Sequence, residues 1–145
     1  MRDVFERFYV NKPDGLCGND DCGQMSAWYL FSAMGFYPMN PASGEYVLGA
    51  PQLPKVTLRV GNGERIPRAK RVAEGDALAG VGMGNGYFTV IARNLSAENK
   101  YVKSVTLNGV PLKGFTIRHE DILKGGELVF EMTGNAAGDA SWEGP

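Results

Sequence analysis

Residues 18–29 have the sequence GNDDCGQMSAWY, in which two adjacent carboxylates stand directly before an apolar run with helical periodicity. The spacing of Asp21 and Gln24 is that of a capping box, which predicts Asp21 as the N-cap and Gln24 as the N3 residue of the helix. The loop would then aim its acidic groups at unpaired backbone N–H donors. This stretch therefore marks both the start of a helix and a candidate site.

Asp20 and Asp21 have two chemical uses and one structural use. A carboxylate at a helix N-terminus stays ionised at neutral pH, as a general base that activates water must be. Hard cations such as calcium prefer oxygen ligands, which Asn19 and the two aspartates would supply. The acidic residues are contiguous, unlike the alternating ligands of an EF-hand. Simple capping of the helix remains the structural alternative.

Composition places limits on the protein class. The 145 residues suffice for one domain with a core, and the net charge of −1 gives no support to a nucleic-acid or membrane-surface partner. No apolar run approaches the roughly 18–20 residues of a membrane-spanning helix. A disulfide between Cys17 and Cys22 would close a very short loop and add little stability, so two small, partly buried thiols are expected. His119 is the lone histidine and is expected at the surface or in a turn.

The first part of the chain, residues 1–39, is helical and aromatic in pattern. Residues 1–9 predict an amphipathic helix with Val4, Phe5 and Phe8 on one side. A second helix is predicted from about residue 22 to residue 34, with Gly35 ending it. This helix is apolar nearly all round, so we expect it to be buried on several sides.

The second part, residues 40–133, has a β pattern. Alternating runs predict strands, and Asn-Gly dipeptides beside them predict hairpin turns. The fold class is therefore α+β, with N-terminal helices followed by an antiparallel β-sheet or sandwich. Residues 134–145 are small and polar and are expected to form a disordered tail, whereas residues 64–86 receive no role. The main predicted strands are 55–60, 87–93, 103–107 and 127–132, with one helical turn at 119–126.

The motifs of this chain resemble the C-terminal signature of glycoside hydrolase family 92. The similarity runs from Gly15 to Pro38, through Asn40-Pro41 and Gly44-Glu45-Tyr46, and resumes at residues 99–109 and 122–132. It covers residues 14–60 and 99–132 well, and its first motif is long and specific. Family members are calcium-dependent, exo-acting α-mannosidases, many of them specific for α-1,2 linkages.

The resemblance implies that this chain is one end of a longer enzyme. Family members pair an N-terminal β-sandwich with an (α/α)6 barrel, and the active site lies between the two. Residues 1–39 would then be the last barrel helices with the catalytic loop, and residues 40–133 the β-rich end. The implied partners are the upstream domains and a mannose-containing glycan such as an N-glycan. The implied location is periplasmic or extracellular, and the segment alone is expected to be inactive.

The resemblance also assigns roles to residues. The family inverts configuration, which requires a carboxylic acid and a carboxylate base roughly 6.5–9.5 Å apart. The base corresponds to Asp21, with Asp20 as its helper or a ligand of the water. Some relatives have an acidic residue at position 19, whereas this chain has Asn19 and therefore one carboxylate fewer in the loop. The general acid and most of the calcium site would lie upstream, so no metal ligand is assigned here. The substrate-binding candidates are Asn19, Gln24 and Trp28.

A second hypothesis treats the chain as a non-catalytic module. It would be a β-rich structural or carbohydrate-contacting unit in which Asp21 serves only as a helix cap. In either case the apolar second helix, without barrel neighbours, would favour a homodimer of the isolated chain.

Overall fold

The computed structural model describes residues 2–60 and 86–136. Helix α1 spans Arg2–Phe8, and helix α2 spans Gln24–Met34 after a single 3-10 turn at Asp21–Gly23. Helix α2 ends as predicted at Gly35, whose φ of 95° lies in the left-handed region that glycine tolerates. The predicted start near residue 22 is two residues early, because Cys22 and Gly23 have left-handed backbone conformations.

Two sheets follow the helices. The smaller one is antiparallel, with strand order β1-β2-β7, and the larger one is mixed, with order β3-β4-β8-β5-β6. A short helix α3 lies between β7 and β8. The strands are β1 (Phe36–Asn40), β2 (Glu45–Leu48), β3 (Lys55–Arg59), β4 (Tyr87–Arg93), β5 (Tyr101–Leu107), β6 (Val110–Pro111), β7 (Thr116–Arg118) and β8 (Gly126–Thr133), and α3 is His119–Leu123.

The α+β class and the four main predicted strands are confirmed. One pairing differs from the expected antiparallel sheet, because β4 and β8 run parallel from the pair Phe88–Gly126 onward. Parallel neighbours need a long crossover, and β5, β6, β7 and α3 all lie within the connection between these two strands. The hairpin prediction holds at Asn108-Gly109, where φ is 51° and 79°, as a type I′ turn requires.

Some predicted features lie outside the described residues. They are the Asn62-Gly63 turn, nearly all of the unassigned stretch 64–86, and most of the tail, 137–145.

A single hydrophobic core joins both sheets. Phe88, Leu128 and Phe130 are fully buried in the central strands of the larger sheet. They belong to one cluster with Phe36 of β1 and Ile117 of β7. Each such side chain contributes about 1.5–3 kcal/mol by leaving water, so this shared core holds the β-rich part together.

The helices are less completely covered than the sequence pattern predicts. Phe5 is buried, but Phe8 is 45% exposed, so only part of the predicted apolar side of α1 is covered. Helix α2 is buried at Ser32 and Ala33, where it reaches the sheets, whereas Leu30 is 61% exposed. In the described part of the chain, α1, the sheets and the loop at Pro51 and Gln52 cover one part of α2 and leave Leu30 exposed.

The close approach at Gly35 gives a stability prediction. A Cβ atom there would lie 3.1 Å from Pro51 Cβ and 3.2 Å from Phe130 Cζ, whereas one at Gly44 would meet nothing within 4 Å. Both glycines have positive φ, so either alanine substitution costs about 1–2 kcal/mol of backbone strain. Gly35→Ala should cost about 1–3 kcal/mol more than Gly44→Ala because it overpacks the core. Urea denaturation measures both, and equal losses would contradict the packing argument.

Candidate functional site

The acidic loop is held close to helix α1 by a tight preceding turn. Tyr9 and Leu16 form an isolated antiparallel bridge, and the Val10 N–H donates to the Gly15 carbonyl at 2.9 Å. The chain therefore returns to the end of α1 immediately before residues 17–23. The loop then runs directly into α2, so its position depends on both helices.

Asp20, and not Asp21, caps helix α2. Its Oδ1 accepts hydrogen bonds from the backbone N–H groups of Met25 at 2.7 Å and Ser26 at 3.0 Å, and its Oδ2 accepts from Ser26 Oγ at 2.6 Å. The predicted capping box of Asp21 and Gln24 is wrong. The intervening 3-10 turn makes Gly23 the N-cap position and Gln24 the first helical residue. The side chain of Asp20 reaches across that turn to the second and third helical residues.

Asp21 has a different environment, although it is the next residue. Its side chain is exposed, and Oδ1 accepts one hydrogen bond, from Asn19 Nδ2 at 2.8 Å. Its other carboxylate oxygen has no donor among residues 2–60 and 86–136. One carboxylate of the pair is therefore fixed to the helix, and the other is free to contact solvent or a ligand.

The backbone between these aspartates and α2 is strained. Cys22 has φ 54° and ψ 25°, and Gly23 has φ 78° and ψ 18°, so two consecutive residues are left-handed. For a residue with a side chain, such as Cys22, this conformation costs about 1–2 kcal/mol. The Gly23 N–H donates to the Asp20 carbonyl at 2.9 Å and closes the turn. Strain of this kind persists only where surrounding contacts hold it.

The hydrogen bonds also set the charge of the loop. The Ser26 hydroxyl, then the Ser26 N–H, and to a smaller extent the Met25 N–H lower the pKa of Asp20 below its ordinary value. Asp20 is therefore ionised at neutral pH. Burial raises the pKa of Tyr9, with smaller contributions from the nearby Cys17 and Asp20, and its hydroxyl donates to the Met25 carbonyl at 3.3 Å.

The other predicted site residues lie on the same loop or in the first two turns of α2. Asn19 contacts Asp21, and Gln24 is exposed as the first residue of α2. Trp28 is half-buried and stacks on Tyr9, with ring centroids 5.5 Å apart and planes at 16°. Its ring also packs against Phe5 at 5.4 Å. Trp28 therefore belongs to an aromatic cluster between α1 and α2.

Sequence reasoning missed two residues of the site, Ser26 and Tyr9. Ser26 is the donor that engages the second oxygen of Asp20, and the available signal was a serine near the start of an otherwise apolar helix. Both residues also line a groove of about 580 Å³ that is open to solvent and continues over Tyr29 and Leu30. The acidic loop thus borders a largely apolar surface.

The described residues do not fit a complete calcium site. They contain no group of three or more His, Cys, Asp or Glu side chains able to hold a metal. Both oxygens of Asp20 are already engaged, which leaves Asp21 and Asn19, whereas calcium takes about six to eight oxygen ligands. Cys17 and Cys22 are free thiols, and both are exposed rather than partly buried as expected. No helix in the described ranges is long and apolar enough to cross a bilayer.

Comparison with known proteins gives a consistent family. The model of the glycosyl hydrolase family 92 catalytic domain matches residues 1–134. A protein of Arthroderma benhamiae described as an uncharacterized secreted glycosidase is 30% identical over 114 residues, which are 79% of this chain and 12% of that protein.

Solved structures agree with this match. The family 92 α-mannosidase BT3965 of Bacteroides thetaiotaomicron, solved with mannoimidazole, is 38% identical, with a TM-score of 0.70. The inverting mannosidase BT2199 of the same organism is 34% identical, with a TM-score of 0.69. Each alignment covers 92% of this chain and 15% of the other. The chain thus spans 12–15% of the length of these relatives.

The capping role of Asp20 predicts how stability depends on pH. Because its folded-state pKa is depressed, its ionised form stabilises the fold above the unfolded-state value of about 3.9, and this contribution is lost as pH falls below it. The melting temperature of Asp20→Asn should lie below that of wild type by a constant amount from pH 7 to 5. The difference should shrink below about pH 4. A pH-independent difference would contradict the assignment, and Glu45→Gln, at an exposed position of β2, serves as the control.

Proposed function

The chain belongs to glycosyl hydrolase family 92, and we propose that it is the C-terminal part of an exo-acting α-mannosidase with α-1,2 preference. The match to the catalytic domain over residues 1–134 and the identities of 38% and 34% to two mannosidase structures support this proposal. Residues 1–39 would supply the terminal barrel helices, residues 40–133 the β-rich end and residues 134–145 a tail. The remaining parts of the site would come from upstream domains of the longer parent.

We propose Asp21 as the general base. The observation that carries the assignment is its exposed carboxylate, which has one oxygen held by Asn19 and is joined to a rigidly capped neighbour. In an inverting reaction the base accepts a proton from water while the water oxygen bonds to the anomeric carbon. The bond to the leaving oxygen breaks, and a carboxylic acid protonates that oxygen. This acid would belong to an upstream part of the parent, and Asp20 would help the base.

The substrate-binding roles extend along the start of α2. The Asn19 amide donates to Asp21, so its carbonyl oxygen is available to accept from a sugar hydroxyl. Gln24 offers an exposed amide at the first position of α2. Trp28 would act through the exposed part of its ring, since stacking on Tyr9 fixes its orientation. These three residues and Asp21 would form one side of a mannose subsite.

Calcium and location belong to the same proposal. Because the described residues lack a complete donor set, upstream parts of the parent would bind most of the calcium, and bound calcium would supply contacts to sugar hydroxyls. One relative is described as secreted, which supports a periplasmic or extracellular location. The substrate would be a mannose-containing glycan, and its use would belong to N-glycan degradation.

The alternative, a non-catalytic structural or carbohydrate-contacting module, assigned the helix cap to Asp21. That assignment is wrong, because Asp20 makes all three hydrogen bonds to the first turn of α2. The exposed Tyr29 and Leu30 still favour self-association of the isolated chain, because an uncovered apolar surface promotes it. In the parent, the same surface would contact upstream helices.

The base assignment predicts the effect of Asp21→Asn in the full-length parent. The substitution should abolish turnover of an α-1,2-mannobioside, because an amide cannot accept the proton from water. The fold should persist, since Asp21 makes one exposed hydrogen bond. Turnover is measured beside the melting temperature, with Glu45→Gln as a matched control on β2 that should keep wild-type activity. Near-normal turnover of Asp21→Asn would refute the assignment.

The incomplete site predicts that the isolated chain is inactive. No mannose should be released from α-1,2-mannobiose, with calcium or with a chelator, by protein that circular dichroism shows to be folded. The reason is that the general acid and the calcium ligands would be supplied by the rest of the parent. Calcium-dependent release by the isolated chain would mean that all parts of the site lie within 145 residues.

A further inference from the structure

We infer that Asp20 is a positioning residue for Asp21 and does not itself contact the attacking water. The inference rests on the proposed function, because it specifies how the base of that reaction is held in place. It concerns two adjacent carboxylates with opposite surroundings. One accepts three hydrogen bonds from α2, and the other accepts a single one from an exposed amide.

The contacts of Asp20 engage both of its carboxylate oxygens. Oδ1 accepts from two successive backbone N–H groups of α2, and Oδ2 accepts from the Ser26 hydroxyl at 2.6 Å, the distance of a charge-assisted hydrogen bond. An oxygen bound in this way is a poor base, because its lone pairs and charge are already stabilised. If Asp20 took a proton from water, it would lose its charge, and its hydrogen bonds to the first turn of α2 would become weaker.

The same contacts fix the backbone that carries Asp21. Asp21 lies between the capped Asp20 and the left-handed pair Cys22 and Gly23, and the Asp20 carbonyl accepts from the Gly23 N–H. Without the cap, this 2.9 Å turn bond and the bond from the Gln24 N–H to the Asp21 carbonyl would have to hold residues 20–23 at the start of α2. The strained Cys22 would then relax, and the Asp21 carboxylate would move with it.

Three substitutions in the full-length parent test this role. Asp20→Asn keeps an acceptor for the two N–H groups and a donor for Ser26 Oγ, so positioning survives without the charge. Asp20→Ala removes all three bonds. Ser26→Ala removes one bond and leaves the charge on Asp20, and this variant keeps the test decisive if Asp20→Ala does not fold.

The kinetic readouts separate positioning from chemistry. We expect Asp20→Asn to keep kcat within about tenfold of wild type, because the amide keeps the hydrogen bonds to α2. The remaining loss would arise because neutral hydrogen bonds are weaker than charged ones. Asp20→Ala should lose about 100-fold in kcat with a smaller change in KM, because the base is misplaced. Ser26→Ala should fall between wild type and Asp20→Ala.

Each other outcome overturns a specific claim. If Asp20→Asn is as inactive as Asp20→Ala, the charge of Asp20 acts on the water and the positioning role is wrong. Wild-type kcat in both Asp20→Ala and Ser26→Ala would also exclude it. Retained turnover of Asp21→Asn refutes the proposed base itself, so the failure of the proposed function is distinguishable from the failure of this inference.

Discussion

The contact between Gly35 and the sheet core is the constraint on which the rest of the structure depends. At this point α2 ends against Pro51 and Phe130, so close that a Cβ atom at Gly35 would lie 3.1–3.2 Å from their side chains. Backbone bonds support the contact, because the Gly49 N–H donates to the Gly35 carbonyl at 2.9 Å. Helix α2 is about 16 Å long at 1.5 Å per residue, so its anchored end determines where its other end lies. The acidic loop is at that other end.

The hydrogen bonds of Asp20 attach the acidic loop to the N-terminal end of this anchored helix. A helix N-terminus carries unpaired N–H groups and a partial positive charge, so an ionised carboxylate binds there in a defined geometry. Asp20 uses both oxygens for this purpose, and the chain must then turn back through the left-handed Cys22 and Gly23 to enter the helix. Asp21 lies in that turn and points its carboxylate outward. The sheet core, α2 and the cap thus form one continuous support for an exposed acid.

Local sequence signals predicted the elements but not the long-range pairings. The strands and the Asn108-Gly109 turn followed from alternation and from residues that tolerate positive φ. The parallel pairing of β4 with β8 could not be read in the same way, because it depends on a long crossover that joins strands far apart in sequence. Likewise, the exposure of Phe8 depends on which neighbours are present, and periodicity contains no information about that.

The sequence predicted that the candidate residues share one loop, but it did not predict which aspartate caps the helix. Asn19, Asp20 and Asp21 stood out as an acidic loop before a helix, and they do share one loop. The capping spacing assigned the cap to Asp21 on the assumption that the helix begins at the next residue. The left-handed residues Cys22 and Gly23 lie between Asp21 and the helix, so the carboxylate of Asp20 caps it instead. A local rule failed where the backbone is strained, which is common at functional sites.

The exposed apolar surface and the incomplete chemistry of the loop have one explanation. As the proposed base, Asp21 would act on one bound water in a site closed to bulk solvent, yet Asp21 is exposed in this chain. The groove beside it, which includes Ser26, also includes Tyr29 and Leu30, which are 40% and 61% exposed. Whatever covers those side chains in the parent must come close to the acidic loop as well. Under the proposed function, upstream helices that cover Tyr29 and Leu30 would also bring the general acid roughly 6.5–9.5 Å from Asp21, so that folding of the barrel would assemble the site.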